Sequence, residues 1–356
     1  MNWIDFYKKE LGELKQLLKS QNKVLVQHRD VDGSCCAAQF LKFYPDFRTF
    51  SIKDPFIPDD LMSELKVLKP ELIIFVDVGV DEHADRLEKL KDILPETKFF
   101  IVDHHMIQND LSKKGMVHIN PRFQDPEIYI PASLMVFDIL SYFGLENKKD
   151  SWLACIGVIS DYGQKDNPEF IEACKKMYPG LLDSKELIDS TIGDSAKTIY
   201  SGIILKGEYG VKKVLDALVK AGKFEDFSEN KTLNGWRQKV DKEIEKVVKD
   251  SEDKKEILDG ILFFEIKSKL NLASIISNIL SRKYEDKIVV ISKHVSDGWK
   301  ISARSPKNIA GKKLNLAEAV KKSVEGIGYG GGHPQAAGAF VEDWEKFKER
   351  LTKLVQ

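Results

Sequence analysis

Cysteine is scarce in this chain of 356 residues. Cys35 and Cys36 are adjacent, Cys155 and Cys174 lie in apolar surroundings, and none forms a CxxC pair with zinc-like spacing. We therefore expect reduced, buried thiols, with neither redox chemistry nor a structural zinc.

Long apolar runs and an excess of one charge are also missing. No stretch approaches the roughly 18 apolar residues that span a bilayer, and the N-terminus lacks the continuous apolar core of a signal peptide. We accordingly predict a cytoplasmic protein with no membrane partner. The formal net charge of -1 excludes a globally basic nucleic-acid coat but permits a local basic groove.

What is present is the pattern of a globular α/β protein with room for two domains. Over the first half, apolar runs near 23–28, 71–77 and 98–103 alternate with helical segments, which predicts a mostly parallel sheet covered on both faces. Residues 184–256 show short helical signals and few strand signals. A second, smaller α/β pattern follows. We predict domains at 1–183 and 257–356, joined by a helical connector at 184–256.

Three predicted strands end in carboxylates or imidazoles. HRDVDG follows the first strand at 28–33, FVDVG ends the second at 75–79, and VDHH ends the third at 102–105. The carboxyl ends of parallel strands converge on one crevice, so these residues are expected to form a single metal site. Taken alone, an aspartate near a glycine is often only a turn, and Asp161 in GVISDYG is as readily a helix cap.

The aspartate and histidine side chains at these strand ends predict which metal is bound and how many ions. Alternate residues of an extended segment share a face, which would place His28, Asp30 and Asp32 together before Gly33 turns the chain. Four aspartates would offset two divalent cations, and imidazole ligands favour manganese, cobalt or zinc over magnesium. We predict two Mn²⁺ ions, with Mg²⁺ or Co²⁺ as alternatives. The predicted ligands are His28, Asp30, Asp32, Asp77, His104 and Asp161.

The second domain carries a different kind of site. Three consecutive glycines precede His333 in GYGGGHPQAAG, a backbone able to approach an anion closely, although such a cluster is often only a flexible turn. Arg304 ends the predicted strand WKISAR and has the geometry for bidentate phosphate binding. The predicted substrate-binding residues are Ser302, Arg304, Ser305, Gly330, Gly331, Gly332 and His333.

Together these motifs resemble the DHH phosphoesterase superfamily. HRDVDG, FVDVG, VDHH and ISDYG occur in the order of its catalytic domain, and SARS and GGGHPQAAG resemble its DHH-associated domain. The resemblance covers about 20–165 and 258–341. DVDGSCCAA and GGGHPQAAG are more similar to RecJ-type nucleases, particularly archaeal ones, than to inorganic pyrophosphatases.

The resemblance implies roles for individual residues. His28, Asp30 and Asp77 would hold one manganese, although bacterial RecJ usually has an aspartate where His28 stands. A second manganese would be held by Asp32, Asp77, His104 and Asp161, with Asp77 bridging the two. His105 would face the substrate phosphate, and Asp103 would orient a histidine. The implied catalytic residues are Asp77, Asp103, His104 and His105.

The implied function is two-metal hydrolysis of single-stranded DNA or RNA by an exonuclease, with the active site in a cleft between the domains. One alternative is a nano-RNase or a nucleotide phosphatase, acting on short oligoribonucleotides, 3′-phosphoadenosine 5′-phosphate or cyclic dinucleotides. A non-enzymatic replication-complex scaffold is the other, and the complete ligand set disfavours it. A replication or repair protein is a further expected partner, docking on residues 184–256.

Overall fold

The computed structural model describes residues 3–145, 147–306 and 314–355, in two compact units, Met1–Arg237 and Gln238–Gln356. In the first unit, five parallel strands pair in the order β2-β1-β3-β4-β5. These strands are β1 Lys23–His28, β2 Arg48–Ile52, β3 Leu72–Val76, β4 Lys98–Val102 and β5 Val117–Ile119. The helices are α1 Trp3–Phe6, α2 Lys8–Leu17, α3 Val31–Phe43, α4 Asp59–Leu68, α5 Ala84–Ile93, α6 Ala132–Tyr142, α7 Ser151–Ser160, α8 Pro168–Met177, α9 Thr191–Lys220, α10 Phe224–Ser228 and α11 Lys231–Lys254, which continues into the second unit.

Both faces of this first sheet are buried at its centre, which explains why β3 and the middle residues of β1 and β4 are continuous apolar runs. Leu25 of β1 packs into a core that includes side chains of α2, α3, α6, α7 and α9. Val24 and Val26 point to the opposite face, where α4 and α5 cover the sheet. The predicted α/β class and mostly parallel sheet are confirmed.

Helix α9 departs from the short helices expected after residue 184. It spans 30 residues and bends at Gly207, whose φ of 58° lies in the left-handed region that glycine adopts readily. Its apolar side chains, including Ile199 and Val214, belong to the core that contains α3 and α7. The division at 1–183, 184–256 and 257–356 stays a prediction.

The second unit contains a six-stranded sheet in the order β10-β11-β9-β8-β7-β6, in which only β7 and β8 pair in parallel. Its strands are β6 Glu256–Leu258, β7 Ile261–Glu265, β8 Ile288–Val295, β9 Gly298–Arg304, β10 Gly328–His333 and β11 Ala336–Val341. The helices are α12 Ala273–Lys283, α13 Leu316–Ser323 and α14 Trp344–Val355. One sheet face forms a core with α13 and α14, including Phe263, Ile301 and Phe347. The glycine cluster forms strand β10, not a turn.

No helix in the described part of the chain has both the length and the hydropathy needed to cross a membrane.

Candidate metal centre

Polar side chains meet at the carboxyl ends of β1, β3 and β4. His28 is the last residue of β1, Asp77 directly follows β3, and His104 lies two residues beyond β4. Asp161 joins them from the C-terminal end of α7. The convergence expected from a parallel sheet therefore occurs, and the end of a helix supplies a further ligand candidate.

The first ligand group comprises His28, Asp30 and Asp77, whose candidate atoms all lie within 4.8 Å of one another. Nδ1 of His28 is 2.7 Å from Oδ2 of Asp30 and 3.6 Å from Oδ2 of Asp77. Neither contact has hydrogen-bond geometry, since Nδ1 of His28 and Oδ2 of Asp77 lack a hydrogen-bond partner among the described residues. The three side chains point toward a common space.

The second group comprises Asp32, Asp77, His104 and Asp161, again within 4.8 Å. Nε2 of His104 lies 3.2 Å from Oδ1 of Asp77 and 3.4 Å from Oδ2 of Asp161. Both ring nitrogens of His104 are buried without a hydrogen-bond partner in the described segments. Buried polar atoms without partners are costly, and a cation between these side chains would satisfy Nε2 of His104, the ring nitrogen that faces Asp77 and Asp161.

Electrostatics point the same way. Burial raises the pKa of Asp32 and Asp161 well above its usual range, and the charge of Asp77 raises both further. Burial also opposes ionisation of Asp77, but His104 and His28 hold its pKa well below the usual range. Buried carboxylates at this density need positive charge, and mixed carboxylate and imidazole donors suit manganese. The residues present therefore fit a pair of divalent cations.

The backbone at Asp77 is unusual. Its φ of 61° lies in the left-handed region, which aspartate and asparagine tolerate better than other residues with a Cβ. This conformation occurs where the chain leaves β3, at the one residue that belongs to both ligand groups.

The expected placement of Asp32 was wrong in its local structure. The segment after His28 is not extended as far as Asp32, because α3 begins at Val31 with Asp30 as its N-cap, accepting from the Gly33 N–H at 2.9 Å. Asp32 lies in the first helical turn and joins the second group, while Asp30 joins the first. Gly33 is needed for close approach, since a Cβ there would lie 2.4 Å from the His28 carbonyl oxygen.

The members of the DHH triplet have separate surroundings. Asp103 is buried, and its Oδ1 lies 2.8 Å from Nδ1 of His105 in a hydrogen bond. The His105 side chain is 44% exposed, so it remains accessible to a ligand. Burial acts to lower the pKa of His105, but the Asp103 carboxylate raises it to about 10. His105 also lies near Asp77 and His104 as a third group of potential ligands.

Four supporting residues were missed from the sequence. The Ser133 N–H donates to both oxygens of Asp32, at 3.2 and 3.3 Å, and Ser133 lies inside α6 rather than capping it. A Cβ on Gly157 would lie 2.1 Å from Asp32 Oδ1. Tyr129 donates to the Asp161 carbonyl, and Arg122 donates to the His104 carbonyl at 2.8 Å. Gly157 in GVISDYG was visible as a small residue near Asp161, but the others had no such signal.

The substrate-binding candidates of the second unit are only partly brought together. Ser302 and Arg304 lie on β9 and His333 on β10, with β11 between the two strands. Arg304 is held internally, because its Nε donates to Asn278 Oδ1 at 2.6 Å and its Nη2 to Ser274 Oγ at 3.2 Å. The remaining candidates occupy two places, Gly330, Gly331 and Gly332 within β10 and a buried Ser305 directly after β9.

Two family models match the chain, the DHH family N-terminal domain at residues 23–173 and the DHHA1 domain at residues 261–356. No curated protein matches it. Among solved structures, the chain is similar to a DHH-domain protein described as a member of a family of ribosomal proteins (18% identity, TM-score 0.79, covering 100% of this chain and 92% of that one). It is also similar to RecJ from Thermus thermophilus in complex with Mn²⁺ (17%, TM-score 0.74, 98% and 54%) and to a pGpG-specific phosphodiesterase from Vibrio cholerae (13%, TM-score 0.51, 94% and 98%). The chain thus spans about half of that RecJ, and identities this low show a shared fold.

Proposed function

The chain belongs to the DHH superfamily of phosphoesterases, and from this membership we propose that it is a manganese-dependent exonuclease acting on single-stranded DNA or RNA. The observation that carries the proposal is that Asp77 belongs to both ligand groups. A shared carboxylate would hold two cations close together, as in enzymes that use two metals about 3.5 to 4 Å apart. The resemblance to RecJ-type nucleases supports the exonuclease assignment.

We assign one cation to His28, Asp30 and Asp77. The other is assigned to Asp32, Asp77, His104 and Asp161. Bound there, divalent cations would acidify a water molecule and offset negative charge on the phosphoryl oxygens. Mn²⁺ suits both the carboxylate oxygens and the imidazole nitrogens of these groups, with Mg²⁺ or Co²⁺ as alternatives.

Within the DHH triplet, His105 would act directly on the substrate, and Asp103 would position that histidine. Asp103 accepts the hydrogen bond from Nδ1 of His105 and raises the pKa of the ring, so that His105 is protonated and its Nε2–H can donate toward a phosphoryl oxygen. That contact would position the phosphate and stabilise the charge that develops on it during hydrolysis.

In the second unit, we propose that His333, Ser302, Ser305 and the backbone amides of Gly330 to Gly332 bind the next phosphate or the terminal nucleotide. Arg304 already donates to Asn278, Ser274, Ser302 and the Ala303 carbonyl, so it would bind phosphate by exchanging one of these hydrogen bonds, and it would also hold α12 against β9. We further propose a replication or repair protein as a partner of this chain.

The test is timed digestion of end-labelled DNA and RNA strands with Mn²⁺ or with EDTA. We expect a ladder that shortens from one end, in Mn²⁺ only, and none from an Asp77→Asn variant. Cutting of a circular single strand would overturn the exonuclease assignment, and undiminished cleavage in EDTA would overturn the metal assignment.

Hydrolysis of short oligonucleotides or dinucleotides is the second candidate function. It is favoured by the similarity to the pGpG-specific phosphodiesterase, because that fold and this chain cover each other almost completely. Rates on a dinucleotide and on a long strand, each at several salt concentrations, would separate the two, since a long strand engages more phosphates. A scaffold without activity is disfavoured, because all six predicted ligands lie together.

A further inference from the structure

One row of side chains crosses the second sheet at the end opposite His333. Tyr329 on β10 pairs with Phe340 on β11, Phe340 with Lys300 on β9, and Lys300 with Lys293 on β8. Directly opposed residues of neighbouring strands point to the same face, so these four side chains form a line that we call the platform row.

The aromatic part of the platform row is open. Tyr329 is 72% exposed, and its ring stacks on that of Phe340 with centroids 5.6 Å apart and planes at 27°. Lys300 is also exposed, and Lys293 donates to the Leu270 carbonyl. An exposed tyrosine stacked in this way contributes little to the core, which lies against the other face of the sheet.

The platform row shares its sheet face with the candidate phosphate-binding residues. Alternate residues along a strand point the same way, so His333 lies on the face of Tyr329, and Arg304 on the face of Lys300. Between them, Gly331 pairs with Gly338, and neither has a side chain to obstruct the surface. The result is a strip on β10 and β11, bordered on β9 by α12, with phosphate-binding candidates at one end and stacked aromatic rings at the other.

We propose that this strip binds single-stranded nucleic acid, with a base stacked on Tyr329 and a backbone phosphate beside Lys300. The inference rests on the proposed function for the phosphate at the His333 end. Exposed aromatic rings beside lysines are the usual platform for unpaired bases, because every base has a face that stacks.

The dimensions of the strip bear on substrate length. Tyr329 and His333 are four positions apart along β10, or about 13 Å at the usual rise of a strand. That distance exceeds one nucleotide, so a strand whose terminal phosphate lies near His333 would place a later base on Tyr329. Longer strands would therefore gain from the platform row, and a dinucleotide would gain little.

The test measures binding of a fluorescent oligonucleotide in EDTA, where no cleavage occurs. Loss of one stacked base predicts about 5- to 150-fold weaker binding by Tyr329→Ala, whereas Tyr329→Phe retains the affinity. An abasic strand of the same length should bind wild type and Tyr329→Ala equally. Tyr142→Ala, at a 44% exposed tyrosine in the first unit, is the matched control and should change nothing.

Two further measurements complete the test. Lys300→Gln should lower the salt dependence of binding by about one phosphate contact. In Mn²⁺, Tyr329→Ala should raise KM for a long strand and leave KM for a dinucleotide unchanged. The platform would be overturned if Tyr329→Ala bound the normal strand as tightly as wild type does. It would also be overturned if the substitution weakened binding of the abasic strand as much as binding of the normal strand. If Tyr329 binds a protein partner instead, Tyr329→Ala should bind the normal strand with wild-type affinity. If the binding results in EDTA are as expected but the protein hydrolyses no strand in Mn²⁺, only the proposed hydrolysis would be overturned.

Discussion

Replacing Asp77 with asparagine should separate metal binding from folding more cleanly than replacing it with alanine. The left-handed backbone at Asp77 tolerates asparagine, but for alanine it costs about 1 to 2 kcal/mol. Asparagine also has nearly the same shape and lacks the charge that both ligand groups need. In EDTA, Asp77→Asn should therefore fold stably, while Asp77→Ala should be less stable by roughly that backbone cost.

The effect of manganese can be estimated from linkage. A ligand at 100 times its Kd stabilises the folded state by about 2.7 kcal/mol, which for a unit of this size raises Tm by about 5 to 10 °C. Both variants should lose most of that increase and all Mn²⁺-dependent hydrolysis, because each assigned cation loses a ligand.

The assay is thermal unfolding in Mn²⁺ and in EDTA, paired with hydrolysis of an end-labelled strand. Asp138→Asn is the matched control, since Asp138 is a largely buried aspartate outside the ligand groups, and it should leave the Mn²⁺ effect on Tm intact. An Asp77→Asn variant with the full manganese-dependent rise in Tm would refute the shared-ligand assignment.

Three other predictions concern single residues. Gly157→Ala places a Cβ 2.1 Å from Asp32 Oδ1, so manganese affinity and hydrolysis should fall by about 10- to 100-fold, while Gly12→Ala, with open space around it, should change neither. Asp103→Asn removes the carboxylate that raises the pKa of His105, so titration of His105 followed by NMR should move to lower pH. The kcat of Asp103→Asn should fall, while the Mn²⁺ effect on Tm persists. An unchanged kcat would contradict the role of His105. Burial raises the pKa of Asp138 to about 6, so the folded protein favours the protonated carboxyl. The stability of the protein that depends on this proton is present below about pH 4 and lost as pH rises through 6. The free energy of unfolding of Asp138→Asn, measured by denaturant titration, should consequently exceed that of wild type by up to about 3 kcal/mol at pH 8. At pH 4 the two proteins should be equally stable.

The parallel sheet was predictable because a strand that is buried on both faces has a continuous run of apolar residues. β3 is apolar throughout, and the central residues of β1 and β4 are apolar, with polar residues only toward the ends of these two strands. The length of helix α9 was harder to predict, since its glycines and charged residues interrupt the helical spacing of apolar residues. Only its contacts with α3 and α7 show which side of the helix is buried. The glycines of β10 likewise suggested a turn, because strand pairing there comes from β11 and not from β propensity.

The sequence by itself determined the sheet class of the first unit, the six ligand candidates and, through the order of its motifs, the superfamily. Residue type and the convergence of strand ends suffice for that, since both are local properties of the chain. Only the tertiary structure decided how the ligands divide into two groups around Asp77, that Ser133 and Gly157 shape the surroundings of Asp32, and that Tyr329 shares a sheet face with His333. These relations depend on helix starts, close approaches and strand register, which join residues that are distant in the chain.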